Sequence, residues 1–320
     1  MTKQVTLAAV IAVLALASCS QDSARPLPST STVPAVADTE QAVSTTAAAT
    51  PTTAPASTTT SSSAQAPTDA SIDGLTVLYA GHSFGRPFAE NMDEATRLAG
   101  IEGHEQRVVF RGGENGVPQA MWADPDVQSL IKEQLDDGAV DIVILICCSR
   151  EFRKTAGHSD QAVSDQAILE IVAYALEQNP ETRFGLAMPW VDFPNGYATA
   201  DEHRAITDAA YPHYQQLAEN ISEASNSADV FVFYHGAAVY DIRAGFEQGT
   251  IPELTSLIGP RMSSVFTDEK GHAASLARDA GTLIWLHAIY GIDPLELPPI
   301  TAHEVDIREI AASALHAAPS

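Results

Sequence analysis

From Val140 to Ile146 the chain reads Val-Asp-Ile-Val-Ile-Leu-Ile. A run this apolar and this rich in β-branched residues has no face to offer to water. It reads as a strand buried on both sides, in the middle of a sheet. Covering both faces takes helices above and below, so the run imposes a layered α/β architecture. The flanking sequence supplies the parts. Leu75–Ala80, Val108–Phe110, Phe184–Met188 and Val230–Tyr234 read as further strands. Between and after them the pattern predicts helices over Phe88–Leu98, Val127–Leu135, Ala162–Glu177, Glu202–Ala224, Ala237–Phe246 and Ala274–Tyr290. Asp124-Pro125-Asp126 introduces the second of these and Asn179-Pro180 ends the third. Such alternation predicts a doubly wound parallel sheet. Ligands in these sheets bind beyond the carboxyl ends of the strands. A capping box, Thr301-x-x-Glu304, predicts a last short helix through Leu315.

This pattern begins at about Asp73. Far upstream, an apolar run from Val5 to Leu16 follows Lys3. It is shorter than the ~20 residues of a membrane span and reads as an export signal. It ends in Leu16-Ala17-Ser18-Cys19, which resembles a bacterial lipobox. That resemblance implies removal of residues 1–18, lipidation of Cys19 and a protein tied to the outer side of the cell membrane, or facing a periplasm. Residues 19–72 then form a linker. Of the 53 residues from 20 to 72, 40 are Ser, Thr, Ala or Pro, and none is aromatic. Such a tract buries too little apolar area to offset its ordering entropy. It would hold the following domain about 40 Å from the anchor. The expected organisation is therefore signal peptide 1–18, linker 19–72, folded domain 73–296 and a C-terminal tail 297–320.

Charge narrows the partners. With 17 Lys and Arg against 41 Asp and Glu, the net charge is −24. That excludes nucleic-acid binding through phosphate neutralisation and general attraction to anionic lipid. Three Cys, one of them at the lipobox, leave no disulfide framework. The His and Cys show no metal-ligand spacing, and no Walker or dinucleotide glycine pattern appears, so neither metal nor nucleotide cofactor is expected.

Two blocks carry chemistry. The first strand runs into Gly81-His82-Ser83-Phe84-Gly85, a G-x-S-x-G at a strand–turn–helix junction. That arrangement exposes a serine hydroxyl on a sharp turn. An α/β-hydrolase would need several strands before it, and only the linker precedes it. Near the other end, Phe266-Thr267-Asp268-Glu269-Lys270-Gly271-His272 places two acids and a His on one loop before a helix. A His oriented by a neighbouring acid can serve as general base.

A nucleophile after the first strand, with acid and His together near the C-terminus, resembles the SGNH/GDSL hydrolases. Val77 to Phe84 is similar to their opening motif, and His272 with the helix to Gly291 to their closing block. The likeness spans roughly residues 74–295. It implies a flavodoxin-like three-layer α/β/α sandwich with a parallel five-stranded sheet, the SGNH hydrolase fold. It also implies Ser83 as nucleophile, His272 as base and an acid partner. The usual Asp-x-x-His spacing lands on Glu269, while the string Phe-Thr-Asp points to Asp268. Gly112 or Gly113, after the second strand, matches the family's backbone oxyanion donor. The family's third-strand Asn is missing. Cys147-Cys148-Ser149-Arg150 stands there instead, leaving Ser149 or Asn115 as substitute donors. Phe84 is a candidate pocket residue, Trp190 lines the pocket or caps the core, and His235 is near the site or, as its turn position favours, a structural residue. Arg150 and Arg153 read as a solvated helix start or as ligands for an anionic substrate group. The expected function is an exported, lipid-anchored serine esterase or deacylase acting on small-molecule or glycan esters. The alternative is a binding lipoprotein that kept this fold and lost turnover.

Overall fold

The computed structural model describes residues 72–146, 160–317 and 319. Five strands, β1 (Thr76–Gly81), β2 (Glu105–Phe110), β3 (Ile142–Ile146), β4 (Arg183–Ala187) and β5 (Val230–Phe233), form one parallel sheet in the order β2-β1-β3-β4-β5. This is the flavodoxin-like order, with its switch point between β1 and β3. All five residues of β3 are buried, as its sequence demands. Gly81 pairs with Phe110 and Ala80 with Leu145, so the three strands end level and their outgoing loops converge.

The connecting helices are α1 (Arg86–Glu90), α2 (Met92–Leu98), α3 (Pro118–Ala123), α4 (Pro125–Leu135), α5 (Asp160–Gln178), α6 (Ala200–Asp208), α7 (Tyr211–Ala224), α8 (Gly236–Gln248), α9 (Ser275–Tyr290) and α10 (Ile307–His316). On one side α9 gathers α1, α2, α8 and α10; on the other α5 packs with α3, α4 and α7. Together they make the three-layer sandwich that the sequence predicts.

Four local features differ from the sequence reading. The stretch Phe88–Leu98 is two helices that meet at Asn91, whose amide side chain donates to Thr282 of α9. Glu202–Ala224 also divides, because Pro212 has no N–H to continue a helix and sits instead in the first turn of α7. A short parallel pair, β6 (Ser256–Ile258) with β7 (Ser264–Phe266), precedes the acid–His loop, in runs too brief to show a period. The last helix starts at Ile307, capped by Asp306 accepting from the Arg308 N–H, and not at Thr301.

The segment before α10 is tied down by a buried histidine. His303, with its side chain 2% exposed, faces Asp279 of α9 at 2.9 Å and Glu253 at 3.3 Å. Only the imidazolium can donate to both carboxylates. The bond to Asp279 raises the His303 pKa above 6.5, against the opposing effect of burial and with help from Glu253. A raised folded-state pKa means stability that is complete below pH 6.5 and is lost as pH rises through the higher folded value. We expect the melting temperature to fall from pH 6 towards pH 9. His303→Ala should flatten that dependence and cost about 1.5–3 kcal/mol below pH 6, measured by urea unfolding.

Candidate active site

The turn after β1 is built by close approach. A Cβ on Gly81 would stand 2.6 Å from Ile146 Cβ, and one on Gly85 would stand 2.1 Å from Ile146 Cγ1. Both glycines of the G-x-S-x-G are therefore required by the last side chain of β3. The turn closes with the Gly85 and Arg86 N–H groups donating to the His82 carbonyl at 3.0 and 3.2 Å. Ser83 is left partly exposed at its crest.

Two buried imidazoles grip the next residue. The Phe84 N–H donates to His82 Nδ1 at 3.4 Å, and His235 Nε2 donates to the Phe84 carbonyl at 3.1 Å. Both rings therefore carry their proton on Nε2. Burial, then the charges of Lys270 and His272, hold His82 down to about 4. Burial lowers His235 to about 3 despite its bond to Phe84. His235 is the structural residue that its turn position suggested.

Across from the turn, the acid–His loop folds onto itself. Thr267 N–H donates to the His272 carbonyl at 2.8 Å, and Gly271 N–H to the Asp268 carbonyl at 3.0 Å. The Asp268 side chain accepts from the Gly271 and His272 N–H groups at 3.0 and 3.2 Å. Its other oxygen accepts from His272 Nδ1 at 2.6 Å. His272 Nε2 then accepts from the Ser83 hydroxyl at 2.7 Å. Burial tends to raise the Asp268 pKa, but the hydrogen bonds from His272 and Gly271 outweigh it and bring the carboxyl below the usual value.

The structure thus brings Ser83, His272 and Asp268 into one chain of hydrogen bonds, and resolves the choice of acid. Glu269 turns away and accepts from Asn195 Nδ2 at 2.8 Å. Phe84 is corrected as a pocket residue and Trp190 takes its core reading: they are 2% and 1% exposed. Their ring centres lie 4.7 Å apart at a tilt of 42°, Phe84 lies 5.3 Å from the His272 ring, and the Trp190 N–H donates to the Gly271 carbonyl at 2.8 Å. They support the loop from behind because the indole N–H needs a buried acceptor, and Gly271 provides it. Trp122 Nε1 donates to Glu170 at 2.6 Å.

On the oxyanion side, Gly112 is extended and Gly113 adopts φ +55, a conformation suited to glycine. Gly116 packs so closely on the Gly81 carbonyl and His82 that no Cβ fits. The loop is thereby pressed against the nucleophile turn. Asn115 is exposed on this loop. Ser149, Cys147, Cys148, Arg150, Arg153 and the lipobox Cys19 lie outside the described residues. A depression of about 290 Å³ opens beside Ser83, His272 and Asp268, bordered by Arg86, Glu90, Arg261 and Thr267. Among the described residues no group of three or more His, Cys, Asp or Glu is placed to hold a metal ion.

Sequence reasoning passed over Lys270, which sits between the two members of the acid–His pair. Its ammonium lies 3.6 Å from the point where a Cβ on Gly113 would stand. The string Glu269-Lys270 looks like an ordinary solvated charge pair, and nothing in it signals this contact.

One consequence of the His82 and His235 environments is measurable. Ring ¹⁵N spectra should show both as neutral Nε2–H tautomers with shifts unchanged between pH 5 and 8. Titration of either ring in that range would contradict the burial and bonding described.

No family model matches the chain, and no curated protein matches it in sequence. Solved structures do match in fold. A DUF4886 family protein from Bacteroides uniformis superposes with a TM-score of 0.51 at 16% identity, covering 76% of this chain and 94% of that one. An acylhydrolase, so described, from Bacteroides fragilis gives a TM-score of 0.38 at 12% identity, over 67% and 86%. A family 3 carbohydrate esterase from Clostridium thermocellum gives 0.38 at 13%, over 68% and 100%. The first likeness establishes a shared fold and says nothing of substrate. Its five parallel strands and its switch point at β1 give the chain a flavodoxin-like three-layer α/β/α fold.

Proposed function

We propose that this protein is a serine esterase or deacylase that cleaves carboxylic esters through an acyl-enzyme. The supporting observation is the continuous hydrogen-bond chain from Ser83 through His272 to Asp268, at 2.7 and 2.6 Å. Ser83 Oγ attacks the ester carbonyl carbon while His272 Nε2 takes its proton. The resulting oxyanion accepts from the N–H groups of Ser83 and Gly113. Collapse breaks the bond to the alcohol oxygen, which receives the proton from His272. Water then attacks the carbonyl carbon of acyl-Ser83, again losing its proton to His272; the second intermediate collapses by breaking the bond to Ser83 Oγ, which takes the proton back from His272 as the acid leaves. Asp268 accepts the Nδ1–H throughout, holding the tautomer that leaves Nε2 free to accept and stabilising the imidazolium.

The same proposal places the enzyme outside the membrane, tethered through a lipidated Cys19 and the linker 19–72. It acts there on small-molecule or glycan esters. The sequence pattern at Leu16-Ala17-Ser18-Cys19 supports the anchor.

A fluorophosphonate probe tests the nucleophile directly. We expect one adduct, mapped to Ser83 by mass spectrometry, and none in Ser83→Ala or His272→Ala. With p-nitrophenyl acetate, Asp268→Asn should lower kcat by about 10⁴-fold. Glu269→Gln should leave the rate near that of the wild type. A folded protein whose Ser83 stays inert would overturn the esterase reading and favour a binding lipoprotein.

A further inference from the structure

We propose that Lys270 is a catalytic residue of this site, its ammonium stabilising the oxyanion formed at Ser83. It would take the place of the third-strand Asn that the chain lacks. The proposal rests on the esterase reading above.

Four observations carry it. The Lys270 ammonium lies against the backbone of Gly113, 3.6 Å from where a Cβ would be, and Gly113 is the residue whose N–H is assigned to the oxyanion. The same charge acts on His82, the residue beside Ser83 and buried under the turn, together with His272. So Lys270 bears on both the nucleophile turn and the oxyanion loop.

The backbone that carries it is also set in advance. The Lys270 carbonyl accepts from the Phe193 N–H at 2.9 Å, and the next carbonyl, of Gly271, accepts from Trp190 at 2.8 Å. Phe193 holds a left-handed backbone, φ 57 and ψ 61, which is costly for an aromatic residue. That conformation helps to anchor the stretch carrying Lys270. A loop fixed before the reaction keeps its cation near the place where charge develops, and this makes such groups effective.

Finally, the charge is not spent elsewhere. In a chain with 41 acidic and 17 basic residues, Lys270 forms no ion pair among the described residues. The ester carbonyl is neutral in the ground state and anionic in the intermediate, so the ammonium acts mainly on the transition state. Lys270 takes no part in proton transfer, which stays with His272.

The test uses the full chain, with Lys270→Met for similar length without charge and Lys270→Arg to restore charge. Three readouts are kcat and KM for p-nitrophenyl acetate, the rate of fluorophosphonate labelling, and inhibition by phenylboronic acid, which forms an anionic tetrahedral adduct on an active serine. We expect Lys270→Met to lose about 100-fold in kcat, with KM nearly unchanged. Labelling should slow and boronate binding should weaken in parallel, while the melting temperature holds. Lys270→Arg should recover most of the loss. A Lys270→Met protein with wild-type kcat and boronate affinity overturns the proposal and leaves the esterase reading intact. So does a variant whose only defect is a higher KM for negatively charged esters, since Lys270 would then bind substrate. A folded wild-type protein with no labelling at Ser83 overturns the esterase reading and this proposal together.

Discussion

Ile146 touching the backbone at Gly81 and Gly85 is the contact on which the site depends. It comes from β3, the most buried strand, and reaches the turn that follows β1, its sheet neighbour. The sheet fixes where Ile146 is, and Ile146 fixes the path of the chain on both sides of Ser83. A methyl at Gly85 would have to displace Ile146 Cγ1 from 2.1 Å, and overpacking of this kind costs about 1–3 kcal/mol. The larger effect would be on direction, because any shift of the turn re-aims the serine hydroxyl relative to His272.

The other half of the site arrives by a separate route. His272 and Asp268 sit on a loop after β7, outside the main sheet, and their hold on the core runs through Trp190 and Phe193 at the end of β4. Phe84 joins the two halves. Its ring packs at a tilt on Trp190 and lies beside His272, and its backbone is held by His82 and His235. The distance of 2.7 Å between Ser83 and His272 is therefore a joint property of two loops and one aromatic ring. Ring contacts are broad and forgiving, whereas the backbone hydrogen bonds at Phe84 and Gly271 are directional, so the bonds set the geometry and the rings keep water out.

How much of this was legible depends on what each feature needs from the rest of the fold. The strands could be read because a buried strand is written in consecutive residues, β3 above all. Ser83 and the acid–His loop could be read because each is a local motif. The choice between Asp268 and Glu269 could not, since it turns on which way a loop folds, and Asn195 draws Glu269 aside from a different segment. Phe84 is misjudged for the same reason, and Trp190 could not be decided. An aromatic near a catalytic serine looks like a pocket wall until the partner that buries it is known. The division of Glu202–Ala224 was legible in Pro212 and was outweighed by the length of the apolar pattern. Thr301 and Glu304 have capping-box spacing, but His303 between them is pulled into the pair of carboxylates, and the helix must start later.

The electrostatics around Ser83 follow from burial more than from composition. Beneath the turn, His82 and His235 are sealed from water and stay neutral at any working pH, so they contribute hydrogen bonds without charge. To one side, Asp268 keeps its negative charge close to the His272 Nδ1–H. To the other, Lys270 faces Gly113. The net charge of −24 is spread over exposed positions, where solvent and salt screen it within about 8–10 Å. A reacting carbonyl bound between Ser83 and Gly113 would therefore feel the nearby ammonium and the backbone N–H groups more strongly than the distant acidic surface. An acyl-transfer intermediate at Ser83 would therefore be stabilised by these local groups and not by the overall charge of the protein.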